Sequence, residues 1–160
     1  MSARPILCLP DPRLRATTRA VRLPDRGLRR LVEDMVETMR KARGIGLAAP
    51  QVGEPLRLAV VEVEGRLLVL GNPALVRAGS ALVAWEVCLS VPDRVARVPR
   101  AGDVVVAADD LEGRRIRCKG SGLMARAMQH ELDHLAGRLY VDLVEPTDLV
   151  DTRIKPTPPA

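Results

Sequence analysis

At 160 residues the chain is long enough for one domain with a proper core and short for two. Hydrophobic residues make up 47% and charged residues 28%, which excludes a disordered chain, and the absence of Phe beside one Trp and one Tyr excludes aromatic platforms for stacking bases or sugars. The net charge of +5 is spread from Arg4 to Arg153 without a like-charged block, the pattern of a mildly basic surface that can also meet RNA or an acidic partner.

In chain order, residues 6–11 read as a short strand or extended arm ending in the Pro10-Asp11-Pro12 turn. From about 25 to 43, Leu28, Leu31, Val32, Met35, Val36 and Met39 recur at helical spacing, with Pro24-Asp25 as start and Gly44 as stop. Strand-like segments follow at 56–63, 66–70, 74–76, 82–91 and 103–109, separated by turns at Gly65, Gly71-Asn72-Pro73, Gly79-Ser80, Pro92-Asp93 and Gly102. Residues 111–118 extend the last pair as a hairpin. A second helix is expected from Ser121, its N-cap, to Ala136, with Gly137 beyond its end. Residues 139–144 read as a final short strand.

This order of helix, strands and helix argues for an α+β fold, with mostly antiparallel sheets packed around a buried second helix. Met124, Ala127, Met128, Leu132 and Leu135 make that helix apolar on several sides, so its polar residues should enter a cleft. There is no internal repeat and no dividing linker. Residues 1–150 are expected to form a single catalytic domain and 151–160 a flexible, proline-rich tail. No signal peptide precedes the three cysteines and no apolar run is long enough to span a membrane, so a reducing, cytoplasmic setting is expected.

The chemistry gathers in three places. His130-Glu131-Leu132-Asp133-His134 sets two imidazoles one helical turn apart on one face, where both can reach a single cation, with Glu131 within reach of a water on it. By itself this pattern is also met on ordinary solvated helices. In the strand at 84–91, Trp85, Val87, Leu89 and Val91 share one face while Glu86, Cys88 and Ser90 share the other. A lone strand cysteine is usually inert and buried, but one thiolate plus two imidazoles leaves a tetrahedral position open for water, which is a catalytic shell. Valine at 87 is expected in ordinary β conformation, packed into the core and pointing away from Cys88. Cys8 and Cys118 read as structural. Gly44-Ile45-Gly46, directly after the first helix, lets backbone approach a ligand closely or take positive φ, and Gln51 offers an amide N–H to a developing oxyanion.

GIGLAAPQVG (44–53), EVCLS (86–90) and QHELDHLAG (129–137), with the opening ILCLPDPRLR, Asn72-Pro73 and Val98-Pro99-Arg100, resemble the peptide deformylases over roughly residues 5–145. The resemblance implies an α+β fold with the HExxH helix at its centre and metal-dependent hydrolysis of the N-formyl group from formylmethionine at the start of nascent polypeptides. It implies Cys88, His130 and His134 as metal ligands and Glu131 as general base and acid. Gln51, through its side chain, and Leu89, through its backbone N–H, would hold the formyl oxygen, and Ile45 and Gly46 would flank the substrate. The implied ion is Fe(II), replaceable by Zn(II), Ni(II) or Co(II). The implied partners are N-formylmethionyl nascent peptides and, transiently, the ribosome; neither DNA nor a membrane is expected.

Two departures stand out. Val87 occupies the position where the family usually has glycine, and the proline-rich tail is a poor former of the C-terminal helix that many members carry. The alternatives are a metal-binding deformylase-like paralogue with reduced or altered activity, motivated by Val87, and an HExxH metallopeptidase. An upstream thiolate fits the latter poorly, and intact Glu131 and Gln51 argue against the former.

Overall fold

The structure is a computed structural model that describes residues 2–153. Helix α1, Arg26–Lys41, starts where Asp25 accepts a hydrogen bond from the Leu28 N–H at 2.8 Å. It buries Leu31, Val32, Met35, Val36 and Met39. Asp34, also buried, accepts from the Ser2 N–H and from Arg4, fastening the N-terminal arm to the helix. That arm runs extended rather than as a strand, its Leu7 and Leu9 N–H groups bonding the carbonyls of Gln51 and Ser90.

Strands β1 (Gly46–Ala48), β2 (Leu58–Val63), β3 (Arg66–Ala78), β6 (Asp103–Asp109) and β7 (Arg115–Ser121) form one antiparallel sheet in the order β1-β2-β3-β6-β7. Strands β4 (Ala81–Cys88), β5 (Val91–Ala101) and β8 (Val150–Asp151) form a second in the order β4-β5-β8. Helix α2, Gly122–Leu135, touches β1, β2, β6 and β7 of the first sheet and β5 of the second. This is the expected α+β arrangement of antiparallel sheets. In β2, Leu58 and Val60 pack toward α1, while Val61 packs with Met124 and Met128 of α2, so this strand is buried on both faces.

Five expectations are corrected. The segment 139–144 is not a strand: Tyr140–Leu143 forms a 3-10 turn with Tyr140 fully buried. The expected turn at 71–73 is a bulge inside the single strand β3, with Asn72 at φ 47° and its amide bonded to the Val21 carbonyl and Asp109. Val91–Ala101 is a strand, although Pro92, Asp93 and Pro99 speak against one. Pro99 is tolerated because β8 pairs with β5 only at Arg94 and Val95, leaving that edge open further along. Of the residues expected as a tail, Asp151 pairs with Arg94 and the Thr152 N–H bonds the Asp93 carbonyl, while 154–160 lie outside the described residues.

The fifth correction concerns β4. Its alternation is as expected from Trp85 to Cys88, but the strand ends there rather than at Val91, which lies buried in β5, and Val87 is not among the residues with positive φ. The burial, however, is reversed: Glu86, Cys88 and Ser90 face the interior, whereas Trp85 is 59% and Val87 65% exposed. Val87 therefore does not pack into the core. Val87→Gly should cost less than about 1 kcal/mol of unfolding free energy, from added backbone freedom alone, as read by urea titration. A loss of about 2 kcal/mol or more would mean that the side chain is buried after all.

Candidate metal centre

Cys88 ends β4, and the two-residue turn Leu89-Ser90 reverses the chain so that Cys88 pairs with Val91. His130 and His134 stand on the facing side of α2, and their spacing of one turn brings Nε2 of each to 3.2 Å of the other. The Cys88 Sγ lies 3.3 Å from His134 Nε2. One sulfur and two nitrogens thus converge within 4.8 Å of one another, the only such cluster among the described residues. All three residues are buried.

Beneath these donors lies a buried charged network. Glu86 accepts from His130 Nδ1 at 2.6 Å, from Arg100 at 2.6 and 3.1 Å and from Arg126 at 2.8 Å. Asp133 accepts from Arg100 at 2.5 Å and from Arg138 at 2.7 Å. Burial alone would raise the Glu86 carboxyl, but the His130 and Arg100 donors outweigh it and hold the group down at about 2. By accepting at Nδ1, Glu86 turns His130 Nε2 toward Cys88 and His134.

The donor set fits a divalent ion of borderline softness. Burial, the largest influence on His130, disfavours its charge, yet the Cys88 sulfur and the Glu86 carboxylate outweigh this and push it up to about 10. His134 moves the other way, well below its usual value, through burial and then the proximity of His130.

Glu131 follows His130 on α2 and is 3% exposed. Burial pushes its carboxyl up to about 7, with His130 opposing and Glu86 adding to the rise. Its Oε2 has no hydrogen-bond partner in the protein, and its Oε1 lies against Gly46, where a Cβ would stand only 2.2 Å away. Gly44 has a similar reason: a Cβ there would meet Leu89 Cδ1 at 2.8 Å. Neither glycine takes positive φ; that role falls to Arg43, at 56°.

Gln51 sits in the 3-10 turn Ala49–Val52 and is 2% exposed. Its Oε1 accepts from the Ala48 N–H at 2.8 Å, which commits the other end of the amide to donate toward Ser90 Oγ at 3.0 Å and Cys88 Sγ at 3.8 Å. Ile45, Gly46, Gln51, Cys88, Leu89, His130 and Glu131 line one cavity of about 470 Å³, and His134 lies buried behind it. Every sequence-derived site residue is thus brought to one place. Sequence reading assigned no role to Glu86, Arg100, Arg126 or Asp133. The available signals were that Glu86 shares the face of Cys88 and that Asp133 lies three residues from His130 on α2.

The other two cysteines are apart from this centre. Cys8 is exposed with a free thiol, while Cys118, on β7, is buried in the apolar cluster shared with β6 and α2. No helix among the described residues is long and apolar enough to cross a membrane.

Residues 3–149 match the polypeptide deformylase family. A peptide deformylase of Thermomicrobium roseum is 46% identical, the match covering 91% of this chain and 88% of that one. The peptide deformylase of Rhizobium meliloti is 43% identical over 90% of this chain and 86% of its own. Among solved structures, a peptide deformylase from Legionella pneumophila superimposes with a TM-score of 0.88 at 42% identity, covering 92% of this chain and 89% of that one. One from Synechococcus elongatus, in complex with actinonin, gives 0.84 at 44% identity, covering 88% and 78%. None of these is a metallopeptidase of the HExxH type. With the site geometry and these likenesses in agreement over nearly its whole length, the chain belongs to the polypeptide deformylase family.

Proposed function

We propose that this chain hydrolyses N-formylmethionyl peptides, releasing formate and a peptide with a free amine. The observation that carries the reading is the convergence of Cys88, His130 and His134 beside Glu131 in a cavity bounded by two sheet edges. Cys88, His130 and His134 would hold one divalent ion. When bound, that ion polarises the formyl carbonyl and lowers the pKa of a water. Fe(II) is the ion implied by the family resemblance, and the donors equally suit Zn(II), Ni(II) or Co(II).

Glu131 takes a proton from the attacking water as oxygen bonds to the formyl carbon, and gives it to the amine nitrogen as the C–N bond breaks. Its buried, unpartnered oxygen and raised pKa suit both transfers. The Gln51 amide and the Leu89 N–H donate to the developing oxyanion. Gln51 is held ready for this by its bond from Ala48. The peptide adds as an extended strand beside Gly46, flanked by Ile45, with its methionine in the apolar part of the cavity. A nascent-chain substrate places the enzyme in the cytoplasm in transient contact with the ribosome, whose RNA a net charge of +5 suits.

The test is formate release from formyl-Met-Ala-Ser by anaerobically prepared protein, with metal analysis of the same sample. Formate equal to the free amine produced, from protein with about one divalent ion per chain, is the expected result. Metal-replete protein that releases none would overturn the proposal.

A further inference from the structure

The reversed burial of β4 leaves apolar side chains uncovered. Val83, Trp85 and Val87, on the face opposite Glu86 and Cys88, are 54–65% exposed, and Trp85 is the chain's only tryptophan. Scattered exposed leucines or valines need no explanation, but an apolar stripe along one strand beside a cavity does. Trp85 and Val87 both line the cavity that holds Cys88 and Glu131. β4 is also the end strand of its sheet, with β5 on one side and a free edge on the other. β1, carrying Gly46, is likewise an end strand. The cavity therefore lies between two unpaired backbone edges, open to an extended chain.

We infer that Trp85 and Val87 form an apolar shelf that selects formylated peptides with an aliphatic or aromatic residue directly after the methionine. The inference rests on the deformylase reading above and adds to it a preference of this chain. Along an extended peptide, alternate side chains point to opposite faces. With the methionine turned inward on the side of Glu86 and Cys88, its successor turns outward, onto the face that carries Val87 and Trp85. Side chains on neighbouring strands of one face lie about 5 Å apart, within contact of both residues. A polar successor would leave the stripe wet, whereas an apolar one covers it. This occupant is favoured over others by the continuity of the stripe with the cavity and by the free edge beside it.

The test uses the metal-loaded enzyme and the series formyl-Met-Xaa-Ser with Xaa as Leu, Phe, Ser or Asp. Leu and Phe should exceed Ser and Asp by about tenfold in kcat/KM, chiefly through KM, as burial of one apolar side chain implies. Trp85→Ser with Val87→Ser should shrink that ratio to about threefold or less by raising KM for the apolar peptides. Independently of any variant, Trp85 emission should shift to the blue on adding the product Met-Leu-Ser and stay in place with Met-Ser-Ser. Equal kcat/KM across the series, or a preference that survives the double substitution, overturns the shelf and leaves deformylation standing. Emission that is blue in free enzyme and moves with protein concentration assigns the stripe to a second copy of the chain and likewise overturns it. Absence of formate from every peptide overturns the deformylase reading and the shelf together.

Discussion

Replacing Cys88, His130 or His134 by Ala should remove most of the bound metal and nearly all activity. Each supplies one of only three protein donors, and the converging atoms are buried, so no neighbouring side chain can take over. The loss should exceed that from Glu86→Gln, which leaves all three donor atoms in place and touches only the far nitrogen of His130. That change removes the charge behind His130 Nδ1 and should weaken metal binding by about 10–100-fold, the usual cost of disturbing a group that orients a ligand. Metal content after dialysis and formate release from the same preparations check the order. Stoichiometric metal in Cys88→Ala would remove the cysteine from the ligand set.

Glu131→Gln separates binding from chemistry. The amide keeps the shape of the carboxylate against Gly46 and leaves the three donors in place, so metal should stay bound. It cannot accept a proton, and turnover should fall by roughly 10²–10⁴-fold with little change in KM. In the wild type the carboxyl must be ionised to act as base, so activity should be lost as pH falls through its pKa. Burial raises that value from 4.5 to about 7, and the charge of a bound divalent ion lowers it again. The acid limb of kcat/KM is therefore expected between those two values and should be absent from the residual activity of Glu131→Gln. Near-normal turnover in that variant would exclude Glu131 as the base.

Much of this protein was readable from the chain because the governing rules are local. Four-residue spacing put His130 and His134 on one helical face before any partner was known. The Asp25 cap, the strand at Asp103–Asp109 and the start of α2 after Ser121 also follow from neighbours in sequence. The alternation of β4 was likewise correct from Trp85 to Cys88, since there it depends only on the pleat, but not beyond, where the chain turns back at Leu89-Ser90. Which face of β4 turns inward was decided by tertiary structure. An apolar stripe ordinarily goes to the core, but here the polar face is buried because Arg100, Arg126 and His130, from β5 and α2, meet Glu86 at hydrogen-bonding distance. Removing a carboxylate from water becomes tolerable only with such partners, and none of them is within ten residues of it. The same holds for Gly46, whose missing side chain matters because Glu131, 85 positions on, occupies that space. The sequence by itself determined the donors and the elements that carry them. Tertiary structure decided which surface is left for the substrate, because burial depends on contacts between distant segments rather than on the order of residues within one.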